Sequence, residues 1–118
     1  MIRCYEIASA EGIGSLVSNQ RDHRAPGRGE VLVQIRASSI NYRDLMMIED
    51  PVPRGVRYPT IPNSDAAGDV IAVGPGVSAV KVGDRVATCF FQRWHSGTIT
   101  SDGMDSALGG ALDGVLSE

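Results

Sequence analysis

The chain has 118 residues, a formal net charge of -3 and an aromatic content of 5%. This length suits one domain with a modest core and is short for a two-domain enzyme. The acidic balance and the scattered Lys and Arg residues give no basic stripe, so neither a nucleic acid nor an anionic membrane is expected as a partner.

The first predicted element is a hairpin. Residues Ile2 to Ala8 and Ser15 to Asn19 form two short strands about a turn at residues 11–14, where glycine permits a positive φ angle. A loop rich in Pro and Gly follows. From Glu30 to Ser38 apolar and polar residues alternate, which predicts a strand with one buried face and one partly wet face that carries Gln34 and Arg36.

A short helix is predicted next. Leu45 and Ile48 lie at helical separation, and Asn41 is well suited to the N-cap position. Pro51 and Pro53 end this helix, because proline has no backbone donor and restricts the residue before it.

The run from Ile61 to Val86 predicts tightly turned antiparallel strands that continue to Phe91. Its β-branched residues are interrupted by Gly and Pro at short intervals. The Gly74-x-Gly76 pair lacks the third glycine and the following helix of a dinucleotide fingerprint, so it is predicted to be a turn. These elements together predict a mostly β fold, a small β-barrel with one short helix.

The last part of the chain is different in composition. Residues 96–114 are mostly Gly, Ser, Thr, Asp and Ala without sustained periodicity, which predicts a mobile loop, and residues 114–118 read as the beginning of a strand. We therefore expect a domain over residues 1–95 and a mobile Gly/Ser-rich tail over residues 96–118, truncated before a further strand. The sheet edge left open in this way predicts a homo-oligomer.

Localisation and thiol chemistry follow from simple counts. No apolar stretch approaches the roughly 20 residues that span a bilayer, and polar residues interrupt the N-terminus, so we expect a cytoplasmic protein. Cys4 and Cys89 show no paired spacing and are predicted to be buried thiols. His23 and His95 have no metal-ligand partner at a recognised spacing and are predicted to lie at the surface.

One segment carries a family resemblance. Residues 65–68, Asp-Ala-Ala-Gly, precede a Val-Gly-x-Gly-Val turn at residues 73–77 and a Gly-Asp-Arg-Val strand at residues 83–86. This order resembles the N-terminal GroES-like domain of medium-chain dehydrogenases/reductases, and the likeness extends back to the opening hairpin. It implies a GroES-like barrel over residues 1–95 that forms the substrate side of an enzyme, with the Rossmann cofactor domain absent from this chain.

The resemblance also bears on metal binding. Zinc-dependent alcohol dehydrogenases place a Cys, a His and a Glu where this sequence has Asn41, Ser64 and Asp65. Zinc prefers thiolate, imidazole and carboxylate donors, for which Asn and Ser are poor substitutes. The structural zinc of those relatives needs four closely spaced cysteines, and only Cys89 lies in that region. No zinc is therefore expected.

The motif Asn41-Tyr42-Arg43-Asp44 is similar to the Asn-Tyr-x-Asp of the zinc-independent, quinone oxidoreductase-like branch. The resemblance implies that NADPH or NADH gives hydride to a quinone or conjugated carbonyl in the full-length enzyme, while this chain alone is inactive and binds no cofactor. All four residues are candidate catalytic residues, and Asn41 is also the candidate cofactor-binding residue. An Asn amide can donate to a carbonyl oxygen, and Tyr42 or Arg43 could stabilise developing enolate charge.

Structural alternatives accompany these roles. Asn41 could only cap the helix, Asp44 could only favour its first turn, and Arg43 could be a solvated charge. Some quinone reductases have a Tyr where this sequence has Met46, which leaves the proton donor unassigned. Two other functions stay open: a zinc-type alcohol dehydrogenase domain with an eroded metal site, and a non-catalytic chaperonin-like assembly module.

Overall fold

A computed structural model describes all 118 residues of the chain. Most of the regular structure is strand, with two short α-helices and two single turns of 3-10 helix. The elements are β1 (Ile2–Ile7), a 3-10 turn (Gly12–Ser15), β2 (Leu16–Arg21), β3 (Val31–Ser39), α1 (Tyr42–Glu49), a 3-10 turn (Val52–Arg54), β4 (Asp65–Val73), β5 (Arg85–Ala87) and α2 (Ser101–Met104). The predicted mostly β class, the opening hairpin and the helix that starts after Asn41 are confirmed.

The strands form two separate antiparallel sheets. β1 pairs with β2 from Ile2 opposite Arg21 to Ile7 opposite Leu16. The second sheet has the order β3-β4-β5. The ladders do not close into one continuous barrel, because β1 meets the rest of the chain through isolated contacts: the Ile7 amide donates to the Thr60 carbonyl oxygen at 2.8 Å.

Strand β3 alternates less regularly than predicted. The register with β4 shifts between Leu32 and Val33 and again between Ile35 and Ala37. Gln34 and Arg36 are exposed as expected, whereas Ala37 is exposed rather than buried. A bulge explains this difference, since one extra residue on a strand changes the face on which the following side chains lie.

Strand β5 is shorter than predicted and ends at Ala87 instead of continuing to Phe91. Beyond it the backbone pairs with the tail, since the Leu108 amide donates to the Phe90 carbonyl oxygen at 3.1 Å. The turn assigned to Gly74 and Gly76 is confirmed, with a φ of 81° at Gly76.

The tail contains more structure than its composition predicted. Thr100 caps α2 by accepting a hydrogen bond from the Gly103 amide at 3.1 Å. Ser106 is fully buried. The final residues run beside β1, where the Glu118 amide donates to the Arg3 carbonyl oxygen and the Tyr5 amide donates to the Leu116 carbonyl oxygen. The expectation of a segment without regular structure is therefore corrected. The mobility of the tail, the boundary at residue 95 and the oligomeric state stay predictions.

A partly buried ionic network fastens the β1-β2 sheet to the tail. Glu6 is only 3% exposed and accepts hydrogen bonds from Arg21 and from Asn19. Arg21 also donates to Asp113 at 2.7 Å. Asp113 in turn accepts from the Ile61 backbone amide at 3.0 Å. A single chain of polar contacts therefore joins β1 and β2 to the tail and to the loop before β4.

The two cysteines have different environments. Cys4 is buried as predicted, whereas Cys89 is exposed, so the prediction of a buried thiol was wrong for Cys89. Cys89 follows the short outer strand β5, where no further strand covers the chain. His23 and His95 are exposed, as predicted. None of the helices combines the length and the apolar character that spanning a bilayer requires.

Candidate functional site

Asn41 forms the start of α1 through a reciprocal pair of hydrogen bonds. Its side-chain oxygen accepts from the Asp44 backbone amide at 3.2 Å, and the Asn41 backbone amide donates to Asp44 Oδ2 at 2.9 Å. This is a capping box, which satisfies two backbone donors that a helix N-terminus otherwise leaves free. The capping role that the sequence offered as an alternative for Asn41 and Asp44 is thus present.

The same Asn41 side chain reaches the start of β4. Its Nδ2 donates to Ser64 Oγ at 3.1 Å and to Asp65 Oδ2 at 3.0 Å. Ser64 Oγ donates to Asp65 Oδ1 at 3.1 Å. The three positions matched to the zinc ligands of relatives therefore meet in space. We call Asn41, Ser64 and Asp65 the polar triad.

The triad has one buried member, Ser64, and one exposed member, Asp65. Ser64 is fully buried, and the Thr88 hydroxyl donates to its carbonyl oxygen at 2.7 Å. Asp65, in contrast, is exposed. Both Nδ2 hydrogens of Asn41 are already engaged, so the amide can donate to a ligand only by exchanging one of these bonds. The bond to exposed Asp65 is the one that solvent or a ligand can reach.

The triad does not suit zinc. Its donors are an amide, a hydroxyl and one carboxylate, and these groups hydrogen-bond to one another while the Asn41 oxygen caps α1. Zinc sites use thiolate, imidazole and carboxylate ligands, and only Asp65 is of that kind. No group of three or more His, Cys, Asp or Glu side chains that could hold a metal ion occurs in the structure.

Asp44 faces the interior rather than a ligand. It is 6% exposed, and its Oδ1 atom has no hydrogen-bond partner. Burial raises the pKa of this carboxyl above its ordinary value, against the lowering effect of the hydrogen bond from the Asn41 amide and of the nearby Arg43 charge. Asp44 therefore supports Asn41 and does not itself reach the surface.

Tyr42 lies at the opposite extreme of exposure. Its side chain is 75% exposed. The residues of one helical turn project in directions about 100° apart, so four consecutive residues cannot converge on one point. The structure accordingly separates Tyr42 from the triad and from the cleft described next.

Arg43 enters a cleft of about 610 Å³. Its Nη1 donates to the Leu108 carbonyl oxygen at 2.7 Å, and its guanidinium carbon lies 4.4 Å from the centre of the Phe90 ring. Burial lowers the pKa of Arg43, while the charges of Asp44 and Asp65 act to raise it. Arg43 is thus partly desolvated, and not the freely solvated charge considered as an alternative.

Three more arginines line this cleft, which we call the arginine cleft. They are Arg54, Arg57 and Arg93. Sequence reasoning missed them, although Arg54 and Arg57 flank a glycine in a loop between two prolines, a spacing that could have indicated a pair of cations on one turn. The apolar part of the lining includes Met47, Phe90, Phe91, Met104 and Leu112.

Comparisons with known proteins show which family the chain resembles. The family model of the alcohol dehydrogenase GroES-like domain matches residues 27–118. The zinc-type alcohol dehydrogenase-like protein C1773.06c of Schizosaccharomyces pombe is 43% identical over 90 residues, which cover 76% of this chain and 26% of that protein.

Solved structures agree with this match. The crystal structure of AibC superposes with a TM-score of 0.83 at 28% identity, covering 98% of this chain and 34% of that one. The Escherichia coli quinone oxidoreductase complexed with NADPH superposes with a TM-score of 0.66 at 29% identity, covering 72% of this chain and 26% of that one. The chain spans about a quarter of the length of the curated relatives it matches.

Proposed function

The chain belongs to the alcohol dehydrogenase GroES-like domain family of the medium-chain dehydrogenases/reductases, and from this premise we propose that it is the substrate-side domain of an NAD(P)H-dependent oxidoreductase. The proposed substrate is a quinone or a conjugated carbonyl compound. The nicotinamide cofactor, when bound, supplies the hydride, and the residues of this chain position the acceptor and stabilise its charge.

The polar triad is the observation that carries the proposal. Asn41, Ser64 and Asp65 meet at the positions that the family resemblance assigns to zinc ligands, and their groups satisfy one another by hydrogen bonds. Such a site can position a carbonyl group through an amide donor without a metal ligand set. The NADPH complex of the similar E. coli quinone oxidoreductase supports a nicotinamide cofactor of the same kind.

Asn41 is proposed to orient the cofactor carboxamide or the substrate carbonyl. Its bond to the buried Ser64 stays, and its bond to the exposed Asp65 is exchanged for one to the ligand oxygen. Because Asp65 is exposed, water can replace the Asn41 amide at its carboxylate, which limits the free-energy cost of the exchange. Asp44 acts only through Asn41, because its buried carboxylate accepts a hydrogen bond from the Asn41 backbone amide.

Arg43 is proposed to stabilise negative charge on the part of the substrate that enters the arginine cleft. Its guanidinium is held by the Leu108 carbonyl oxygen and by the Phe90 ring, so it is preorganised and needs no reorientation during the reaction. The exposed Tyr42 is available to donate its hydroxyl to a ligand bound above α1.

A zinc-dependent alcohol dehydrogenase is the second candidate. The name of the S. pombe relative, which is 43% identical, favours it. The donor set of the triad argues against it, since Asp65 is the only anionic group of the three. The zinc content of the purified protein separates the two functions.

The proposed function is tested in a chimera in which this chain replaces the matching segment of the E. coli quinone oxidoreductase. We expect the chimera to oxidise NADPH when a quinone or an enone is added, and Asn41→Ala to reduce that rate. A folded chimera that binds NADPH and reduces neither acceptor would contradict the proposal. The 118-residue chain alone is expected to bind NADPH very weakly, because it has no phosphate-binding glycine loop that opens a helix.

A further inference from the structure

We propose that the arginine cleft binds an anionic group, a carboxylate or a phosphate, that is attached to an apolar body. Arg43 is one of the residues that line this cleft. The cleft is distinct from the polar triad, whose residues do not line it. The attribution of the anion to a substrate rests on the proposed function, whereas binding of the anion itself does not.

The charge of the cleft is the first argument. Arg43, Arg54, Arg57 and Arg93 line it, and Asp105 is its only acidic lining residue. The chain as a whole carries a net charge of -3, so this local excess of cations runs against the overall balance. Such a concentration of one sign in a concave site raises the local concentration of counter-ions and ligands of the opposite sign.

The lack of ion pairs is the second argument. Of the four guanidinium groups, only that of Arg93 pairs with a carboxylate, Asp102 at 3.0 Å. Arg43 is half-buried and is satisfied by a neutral carbonyl oxygen and an aromatic face alone. The charges of Asp44 and Asp65 act on Arg43 from nearby, but neither carboxylate forms an ion pair with it. A partly desolvated cation without a directly paired anion is unfavourable, and an incoming carboxylate or phosphate would offset that cost with bidentate hydrogen bonds.

The apolar lining is the third argument. Met47, Phe91, Met104 and Leu112 share the cleft with the arginines, and its volume of about 610 Å³ is within the range of small-molecule sites. Met104 is 60% exposed, so part of this apolar surface remains open to a ligand. The lining therefore suits an anionic group that is attached to an apolar body, and inorganic pyrophosphate serves below as a probe of the anionic subsite alone.

Two sources could supply the anion: a carboxylate on the substrate or a phosphate on a nucleotide or carrier group. The test is titration of the isotope-labelled 118-residue chain with octanoate, pyrophosphate and neutral 1-octanol, followed by amide and arginine side-chain resonances. We expect octanoate or pyrophosphate to shift resonances of residues 54–57 and Phe90, and the shifts to weaken as ionic strength rises.

A pair of variants makes the test specific. Arg54 and Arg57 are exposed, so the double variant Arg54→Gln/Arg57→Gln should fold and should weaken anion binding by about fivefold or more. Arg28→Gln is the matched control, because Arg28 is an exposed arginine outside the cleft. It should leave the affinity unchanged, and the amide spectrum of each variant reports its folding.

Each outcome bears on the proposal. Binding of octanoate that depends on the arginines supports a substrate carboxylate, and arginine-dependent binding of pyrophosphate supports a phosphate. The proposal is overturned if neither anion binds, if 1-octanol binds as tightly as octanoate, or if the double variant binds both anions as well as the parent chain. None of these measurements needs hydride transfer, so an inactive chimera would contradict the proposed function and leave this result standing.

Discussion

The side-chain amide of Asn41 donates to the carboxylate of Asp65 at a distance of 3.0 Å, although the two residues lie 24 positions apart in the chain. This bond connects the cap of α1 with the first residue of β4. One residue thus serves two purposes, since the oxygen of the amide caps a helix and the nitrogen organises a candidate site.

Capping and orientation by Asn41 are separable by substitution. Asn41→Ala should lower the free energy of unfolding by about 1 kcal/mol because the cap is lost, whereas Asn41→Ser should retain most of that stability because Ser is also a good N-cap. Neither variant retains the amide donor. In the chimera both variants should therefore lose turnover, and thermal unfolding beside steady-state kinetics measures the two effects. Full turnover in Asn41→Ser would show that capping is the whole role of Asn41.

Purified protein should contain far less than one zinc per chain. Asn41 and Ser64 stand where two ligands would be needed, and both are committed to hydrogen bonds with neighbouring groups. Elemental analysis of protein prepared without added metal is the measurement, with a zinc-dependent alcohol dehydrogenase prepared in parallel as the positive control. One tightly held zinc per chain would reject the assignment of the triad.

Asp44 should make stability depend on pH. Because burial raises its pKa in the folded state above the unfolded value, the folded chain binds this proton more tightly. The resulting stabilisation is complete below the unfolded pKa and is lost as the pH rises through the folded pKa. The variant Asp44→Asn retains an acceptor for the Asn41 backbone amide and removes the titratable carboxyl group.

Urea unfolding of both proteins across a pH series measures this effect. The free energy of unfolding of the parent chain, relative to Asp44→Asn, should fall as the pH rises. The exposed Asp22 provides the control substitution Asp22→Asn. A difference between the parent chain and Asp44→Asn that stays constant or grows with pH would contradict the buried environment of Asp44.

Gly114→Ala should be destabilising because the tail packs closely on the loop before β4. A Cβ atom at Gly114 would clash with the backbone carbonyl oxygens of Asn63 and Pro62. Overpacking of this kind costs about 1–3 kcal/mol. Gly14→Ala is the matched control, since a Cβ there meets nothing within 4 Å. Equal stability of the two variants in denaturant unfolding would argue that the tail does not pack as described.

The two thiols should react at different rates. Cys89 is exposed and Cys4 is buried, and burial raises the pKa of the Cys4 thiol. Because the thiolate is the reactive form, a disulfide reagent should modify one thiol rapidly in the folded chain and both in denaturant. Mass spectrometry identifies the modified residue, and Cys89→Ser should abolish the rapid phase. Rapid modification of Cys4 in the folded protein would contradict its burial.

The sequence by itself determined the features that depend on neighbouring residues. The helix after Asn41 and the end of that helix before Pro51 follow from capping and from the missing proline donor. The strand-rich class follows from β-branched residues interrupted by glycines. The family resemblance also identified Asn41, Ser64 and Asp65 as the positions that correspond to the Cys, His and Glu of zinc-dependent alcohol dehydrogenases.

Only the tertiary structure decided what these residues contact. The Asn41 amide is already occupied by two partners, and Arg43 reaches the carbonyl oxygen of Leu108, which lies 65 positions away. Composition also misjudged the tail, because glycines such as Gly114 pack backbone against backbone and leave no apolar periodicity in the sequence. Contacts between distant segments depend on how the whole chain is folded, and local patterns carry no record of them.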